Sequence, residues 1–331
     1  MQPAIRLIPR VGRGVGLGHF MRCLALGTKL RDRGASDIAF LLPPGAAESG
    51  ILRRTGMEAK ALEAGRVLAG DRVYVVDVEL PRIEWPFRFA SRPRAVVAID
   101  DIGLDLPDVD LIVNPNVHAD PVWYREGPIL ATGPKFAPLR REFTEARRRR
   151  RTTRERGRRV VVSMGGGDVT RWTERVLWGL GDMAGQVDVM VGPGSRGSIR
   201  KPDGPEAEIR VHHDPPRPAI HFLEADLAIT GGGSTLYETA ACGTPSLAIS
   251  INAAQDVHAR RWEELGAIRY LGPAGELTPG DVRRNTRALL ADPARRRRMS
   301  RIGRSLVDGQ GADRVATMLF KILAHSRAIR P

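Results

Sequence analysis

Residues 226–251 read Asp-Leu-Ala-Ile-Thr-Gly-Gly-Gly-Ser-Thr-Leu-Tyr-Glu-Thr-Ala-Ala-Cys-Gly-Thr-Pro-Ser-Leu-Ala-Ile-Ser-Ile, and their types and spacing suit a phosphate-bearing ligand. Leu227 to Thr230 is a short apolar run that stops at three glycines, as a buried parallel strand does. Gly231, Gly232 and Gly233 allow a tight turn and a close backbone approach to a ligand. Ser234 or Thr235 is placed to cap a helix running to about Ala241, and Gly243-Thr244-Pro245 ends that helix. A glycine turn at a helix N-terminus offers unpaired N–H groups and the positive end of the helix dipole. Glu238, one turn further on, could accept hydrogen bonds from sugar hydroxyls. A plain strand–turn–helix unit fits the same glycines. The hydroxyl pair and Glu238 favour a nucleotide or nucleotide-sugar site.

A second constellation lies near the N-terminus. Gly16-Leu17-Gly18-His19 opens a long helix, with Arg22 one turn on, and lacks the third glycine of the dinucleotide fingerprint. The positive helix end favours a neutral imidazole at His19, one able to accept a proton. The other use of such a His is to cap or pack the loop. Asp77 and the pair Asp100-Asp101 end apolar runs, where they could bind hydroxyls, orient a base or cap the next helix. Adjacent residues of an extended chain point apart, which argues against a metal on the Asp pair. His212-His213-Asp214 reads as a loop before a helix near His221, without a second ligand cluster. No metal and no cofactor are therefore expected. Neither a Gly-x-Ser-x-Gly elbow nor a Cys/His pairing supports acyl transfer.

The elements that must position these groups follow from the apolar rhythm. Runs at 5–9, 38–42, 73–78, 95–99 and 111–113 read as strands, most ending in a polar group, with a helix from about Phe20 to Arg33. The rhythm restarts at Val160 to Ser163 and meets Gly165-Gly166-Gly167-Asp168 at once. Helices over 173–180, 256–265, 279–290 and 313–325 follow. This is the pattern of an α/β protein with two doubly wound Rossmann-like domains facing a cleft, ligands gathering at strand C-termini. The arginine run from Arg147 to Arg159 has no apolar period, which places the boundary there: 1–150 and 157–331.

Composition supports this outline. A chain of 331 residues with 42% apolar content and 36 glycines suits two glycine-punctuated domains. No apolar run reaches the roughly 20 residues that span a bilayer, and the N-terminus does not read as a signal peptide. Cys23 and Cys242 sit in apolar helix patterns, as buried thiols in a reducing cytoplasm do. The net charge of +14 is concentrated at Arg147–Arg159 and Arg295–Arg304, while aromatics make up 5% and are not interleaved with them. That pattern lacks a base-stacking platform, so no nucleic-acid partner is expected. The runs read as a solvated face capable of weak surface contact with acidic partners.

Several of these segments, in this order, resemble one family. They are Gly16-Leu17-Gly18-His19-Phe20-Met21-Arg22, Ile99-Asp100-Asp101, Asn114-Pro115-Asn116, residues 133–143, Ser163-Met164-Gly165-Gly166-Gly167-Asp168 and Gly232-Gly233-Ser234-Thr235-Leu236-Tyr237-Glu238. Together they are similar to the UDP-sugar hydrolases of the pseudaminic-acid pathway, two-domain proteins of glycosyltransferase-B (GT-B) architecture. The second half also looks like the glucosaminyltransferase that makes lipid II. The resemblance runs from Gly12 to about Ala316. The family carries Arg-x-Asp where this chain has Arg10-Val11-Gly12, an aromatic where it has Val78 and Glu79, and Asn-Gln where it has Ala254-Gln255.

What the resemblance implies is release of UDP from a UDP-linked diacetamido-trideoxyhexose for nonulosonic acid synthesis. His19 would be the general base that activates water. Gly18, Arg22, Asp77, Asp101, Asn116, Gly166 and Asp168 would bind the substrate. Gly232, Gly233, Ser234, Thr235, Glu238 and Gln255 would hold UDP. The alternative is a GT-B glycosyltransferase that passes the sugar to an acceptor. A basic nucleotide- or nucleic-acid-binding protein without catalysis is a third reading.

Overall fold

The computed structural model describes residues 3–12, 15–46, 48–62, 67–78, 88–104, 107–149, 152–181, 183, 185–195, 197–204 and 207–328. Glu79, Arg150 and Arg151, noted in the sequence, lie outside the described residues, as do Arg13 and Gly14 before the first glycine loop. The chain divides into two compact units: residues 1–15, 19–140 and 310–331 form the first, and 16–18 with 141–309 the second.

In the first unit the chain runs β1 (Ile5–Ile8), α1 (Leu17–Asp32), β2 (Ile38–Leu42), α2 (Ser49–Thr55), β3 (Glu58–Ala61), β4 (Val67–Leu68), β5 (Val73–Val78), β6 (Arg88–Phe89), β7 (Ala95–Asp100), β8 (Leu111–Asn114) and β9 (Ile129–Thr132). Seven of these strands make one sheet in the order β3-β2-β1-β5-β7-β8-β9, and every pairing is parallel. The order reverses between β1 and β5, so their C-terminal ends flank the crevice where open α/β sheets place ligands. β1, β2, β7 and β8 are buried along their whole length, as strands covered on both faces must be.

The second unit runs α3 (Arg141–Arg148), β10 (Arg159–Ser163), α4 (Thr170–Leu180), β11 (Gly185–Val191), β12 (Ala207–His213), α5 (Pro218–Glu224), β13 (Leu227–Gly231), α6 (Thr235–Cys242), β14 (Ser246–Ser250), α7 (Ala253–Glu264), β15 (Ile268–Pro273), α8 (Pro279–Ala291) and α9 (Pro293–Leu306). Its six-stranded parallel sheet has the order β12-β11-β10-β13-β14-β15, reversing between β10 and β13. Val160, Val162, Leu227, Ile229, Leu247 and Ile249 from the three central strands anchor its core.

Three expectations change here. The break in backbone contacts falls at Arg140/Arg141 rather than at 150–157, because α3 packs with α5 and α6. The final helix, α10 (Gly311–Ala328), expected in the second domain, belongs to the first unit. There Arg33 pairs with Asp313 at 2.8 Å, and Arg314 donates to the carbonyl of Lys135 at 2.8 Å. His212 and His213 end strand β12 rather than lying in a loop, because their register continues that of Met190 and Val191.

The arginine runs are also more than a solvated face. Asp292 caps α9 by accepting from the Arg295 N–H, Pro293 sits in the first turn, and Arg296, Met299 and Gly303 turn inward. Arg296 is 1% exposed and donates to the carbonyls of Leu289, Leu290, Arg154 and Glu155 at 2.8–3.1 Å. Buried Asp226 accepts from the N–H groups of Arg158 and Arg159 and from the Arg154 guanidinium. The stretch expected as a linker is pinned to the end of α8 and the start of β13. Arg304 and Arg147 each donate to the other's carbonyl.

Arg296→Met keeps the stem but removes the donor from the Arg154 and Glu155 carbonyls and one of two donors from those of Leu289 and Leu290. It should cost roughly 2–4 kcal/mol of stability. The measurement is the urea midpoint, and an unchanged midpoint would remove Arg296 from the account.

Candidate functional site

In the first unit, the sheet reversal brings together five residues singled out in the sequence. His19 sits in the first turn of α1, Arg22 one turn on, and Asp77 near the end of β5. Asp77 has no side-chain exposure and accepts from Arg22 Nε at 2.5 Å and Arg22 Nη2 at 2.6 Å. The Arg22 guanidinium also meets Asp101 twice, at 2.8 Å each. Burial works against this charge, but Asp101 and Asp77 outweigh it and hold Arg22 protonated well above its ordinary range. Asn116 Nδ2 donates to the carbonyl and carboxylate of Asp101 at 3.1 and 3.2 Å.

This geometry assigns the tautomer of His19. Its Nδ1 lies 2.9 Å from Asp77 Oδ1 and 3.1 Å from Arg22 Nη2. Arg22 has no acceptor, and Nη2 directs its protons to the two carboxylates. An ionised Asp77 can only accept, so Nδ1 carries the proton and Nε2 keeps the lone pair. The imidazole is 19% exposed. A carboxylate-oriented imidazole of this tautomer is equipped for general-base chemistry through Nε2. The orientation comes from Asp77, not from the helix end alone. Cys23, 3.9 Å from Asp77, is no rival: burial and the nearby carboxylate push its thiol well up.

Asp100 plays a different part from Asp101, as the alternating strand geometry requires. It is fully buried and accepts from the N–H groups of Ile102, Gly103 and Leu104 and from Tyr124 Oη at 2.7 Å. Asn114 donates to the same hydroxyl and accepts from the Asn116 N–H. The Asp100–Tyr124–Asn114 network therefore sets the loop that presents Asp101 and Asn116. Tyr124 was not anticipated, because its partners are 10 and 24 residues away.

The second unit carries both glycine loops at its own sheet reversal. Gly231 lies against the end of β10, where a Cβ would come within 2.5 Å of the Met164 carbonyl. Gly232 would meet the Gln255 carbonyl at 2.8 Å. Neither has a positive φ, so close packing, not a left-handed turn, demands these glycines. The expected side-chain cap is also absent: Ser234 is exposed at the N-cap of α6 and makes no capping bond. Thr235 is buried, and Glu238 lies partly buried in the first turn. Gln255 is partly a scaffold, its Oε1 accepting from the N–H groups of Gly232 at 3.1 Å and Ile251 at 3.2 Å. Its Nε2 faces Gly233, with a Cβ there only 3.3 Å away. In the β10 loop, Gly165 has φ +127°, Gly166 accepts from the Gly194 N–H, and exposed Asp168 accepts from Thr170 Oγ1.

Beneath the loop lies a network that the sequence reading missed. His258 Nδ1 is 2.8 Å from the Gly232 carbonyl, and Nε2 is 2.9 Å from both Trp262 Nε1 and Tyr237 Oη. Indole N–H can only donate, so Nε2 accepts and Nδ1–H donates to Gly232. All three side chains are buried. The i, i+4 spacing of His258 and Trp262 on α7 was the available signal. His258→Phe would leave the Gly232 carbonyl and the Trp262 N–H unpaired. A loss of roughly 2–3 kcal/mol is expected in chemical denaturation, whereas equal stability would show that the network is dispensable.

No protein-family model matches the chain. The spore coat polysaccharide biosynthesis protein SpsG of Bacillus subtilis (strain 168) is 29% identical over 195 residues, 56% of this chain. The match spans 57% of that relative's length. Among solved structures, Acinetobacter baumannii MurG aligns at TM-score 0.63 and 13% identity, over 96% of this chain and 99% of its own. The spinosyn rhamnosyltransferase SpnG aligns at 0.63 and 16%, over 96% and 100%. The calicheamicin glycosyltransferase CalG4 aligns at 0.58 and 16%, over the whole of both chains. The likeness is one of fold: two Rossmann-like domains of GT-B type.

Proposed function

We propose that the chain is a nucleotide-sugar enzyme that hydrolyses a UDP-linked diacetamido-trideoxyhexose, with His19 as general base. The observation that carries this reading is the Asp77–His19 pair, which leaves a basic Nε2 on a partly exposed imidazole. In the reading, His19 takes a proton from water as its oxygen attacks the anomeric carbon. The anomeric C–O bond breaks, and its electron pair leaves with UDP. In the reading, Arg22, Asp101 and Asn116 orient the sugar, and Gly18, Gly166 and Asp168 are further substrate contacts. The diphosphate is assigned to backbone N–H groups at 233–235 and to Nε2 of Gln255, which packs against Gly232, and the ribose to Glu238. Helix-end dipoles and preorganised donors suit a departing diphosphate.

A second reading keeps the same base and replaces water by an acceptor hydroxyl. The rhamnosyltransferase and glycosyltransferase among the structural neighbours, and the polysaccharide-biosynthesis relative, favour it. The two readings differ only in what the base deprotonates.

Incubation with a panel of UDP-sugars, following UDP release with and without candidate acceptors, tests both. Hydrolysis predicts free sugar without acceptor. Release that requires an acceptor selects transfer, and no release under either condition overturns the enzyme reading. His19→Ala should lower turnover by about 10²–10⁴-fold with UDP affinity retained. Full activity in that variant would rule out His19 as the base. Gln255→Ala should instead weaken UDP binding about tenfold or more, read by calorimetry, because its Nε2 donor is removed and the Ile251 N–H loses its acceptor. Unchanged affinity would detach Gln255 from the nucleotide.

A further inference from the structure

Asp188, His212 and His221 converge on the β12 edge of the second sheet, on elements other than those bearing the glycine loops. Asp188 is in β11, His212 in β12 and His221 on α5. One ligand-capable atom from each lies within 4.8 Å of the other two. His212 Nε2 is 2.7 Å from Asp188 Oδ1, and the imidazoles of His212 and His221 lie tilted at 49° with centroids 4.3 Å apart. Gln186 Nε2 holds the other carboxylate oxygen, Asp188 Oδ2, at 2.7 Å. The His221 imidazole makes no hydrogen bond among the described residues; its ring lies against that of His212. All three are partly exposed, so the cluster is open to small solutes.

Two imidazoles and one carboxylate are a donor set for a borderline divalent cation, and an outer amide that fixes the carboxylate is the usual second layer. A tetrahedral ion at about 2.0–2.1 Å from its ligands sets them about 3.3 Å apart. The His212–Asp188 pair at 2.7 Å is closer than that, and all three ligand atoms lie within 4.8 Å of one another, so small side-chain shifts would meet it. We propose that Asp188, His212 and His221 bind one Zn²⁺, with a fourth position left to water or an anion. The ion would tie α5, which leads into β13, to the edge strands of the sheet. This site is separate from the proposed base and does not depend on the nucleotide-sugar reading.

The test uses the full chain stripped with chelator, titrated with ZnCl₂ by calorimetry and with Co²⁺ by visible absorption. One saturable equivalent and the intense d–d bands of four-coordinate cobalt are expected. His212→Ala and His221→Ala should each weaken zinc binding at least about tenfold, while His213→Ala, an exposed neighbour on the same strand, should bind as the parent does. His221→Gln keeps the bulk and guards against loss of fold, which circular dichroism checks. Absence of saturable zinc in the parent, or parental affinity in both His212→Ala and His221→Gln, overturns the proposal.

Discussion

A carboxylate with no solvent exposure is stable in the folded chain only if charge and hydrogen bonds replace its water. Burying such an ion costs several kcal/mol even after relaxation. Asp77 meets that requirement through two bonds from Arg22 and one from His19. The arrangement works only because β5 lies next to β1, so that the helix following β1 starts beside the end of β5. Once Asp77 is placed, Arg22 is fixed, Asp101 follows as its second partner, and the tautomer of His19 has no freedom left. One buried negative charge thus sets the chemistry of a whole sheet crevice.

The second unit reaches the same kind of order with neutral groups. Its loops touch backbone to backbone, since a Cβ at Gly231 or Gly232 would collide with a carbonyl. Gln255 and His258, both on α7, then hold the two successive peptide units that meet at Gly232, one accepting from its N–H and the other donating to its carbonyl. The backbone on both sides of Gly232 is thus held in place without a ligand, which is what preorganised binding of an anion requires.

Much of the frame was legible in the chain itself. Strands such as Val73–Val78 and Leu227–Gly231 are continuous apolar runs, because sheets covered on both faces leave no room for alternation. Asp77 and Asp101 were legible because each ends or follows such a run, His19 and Arg22 because they follow a glycine loop at a helix start, and Asn116 through the resemblance. What escaped notice depends on partners distant in sequence. Arg296 looks like one of many surface arginines until the carbonyls at the ends of α8 and of the 154–157 stretch are seen around it. Tyr124, His258 and the Asp188–His212–His221 group became visible only when strands and helices had been assembled. Gly231 and Gly232 were found for the wrong reason, since their backbone is ordinary and their surroundings are tight.

The return of α10 to the first unit makes that unit discontinuous in sequence, with residues 141–309 inserted between its parts. During synthesis the inserted unit has nearly all of its chain available before the first can be completed. Residues 1–140 must wait, with the surface beside Ala137 and Lys135 uncovered, until residues 310–328 have emerged. The earlier portion of the chain is then the later to reach its final form, and the last helix acts as its closing piece.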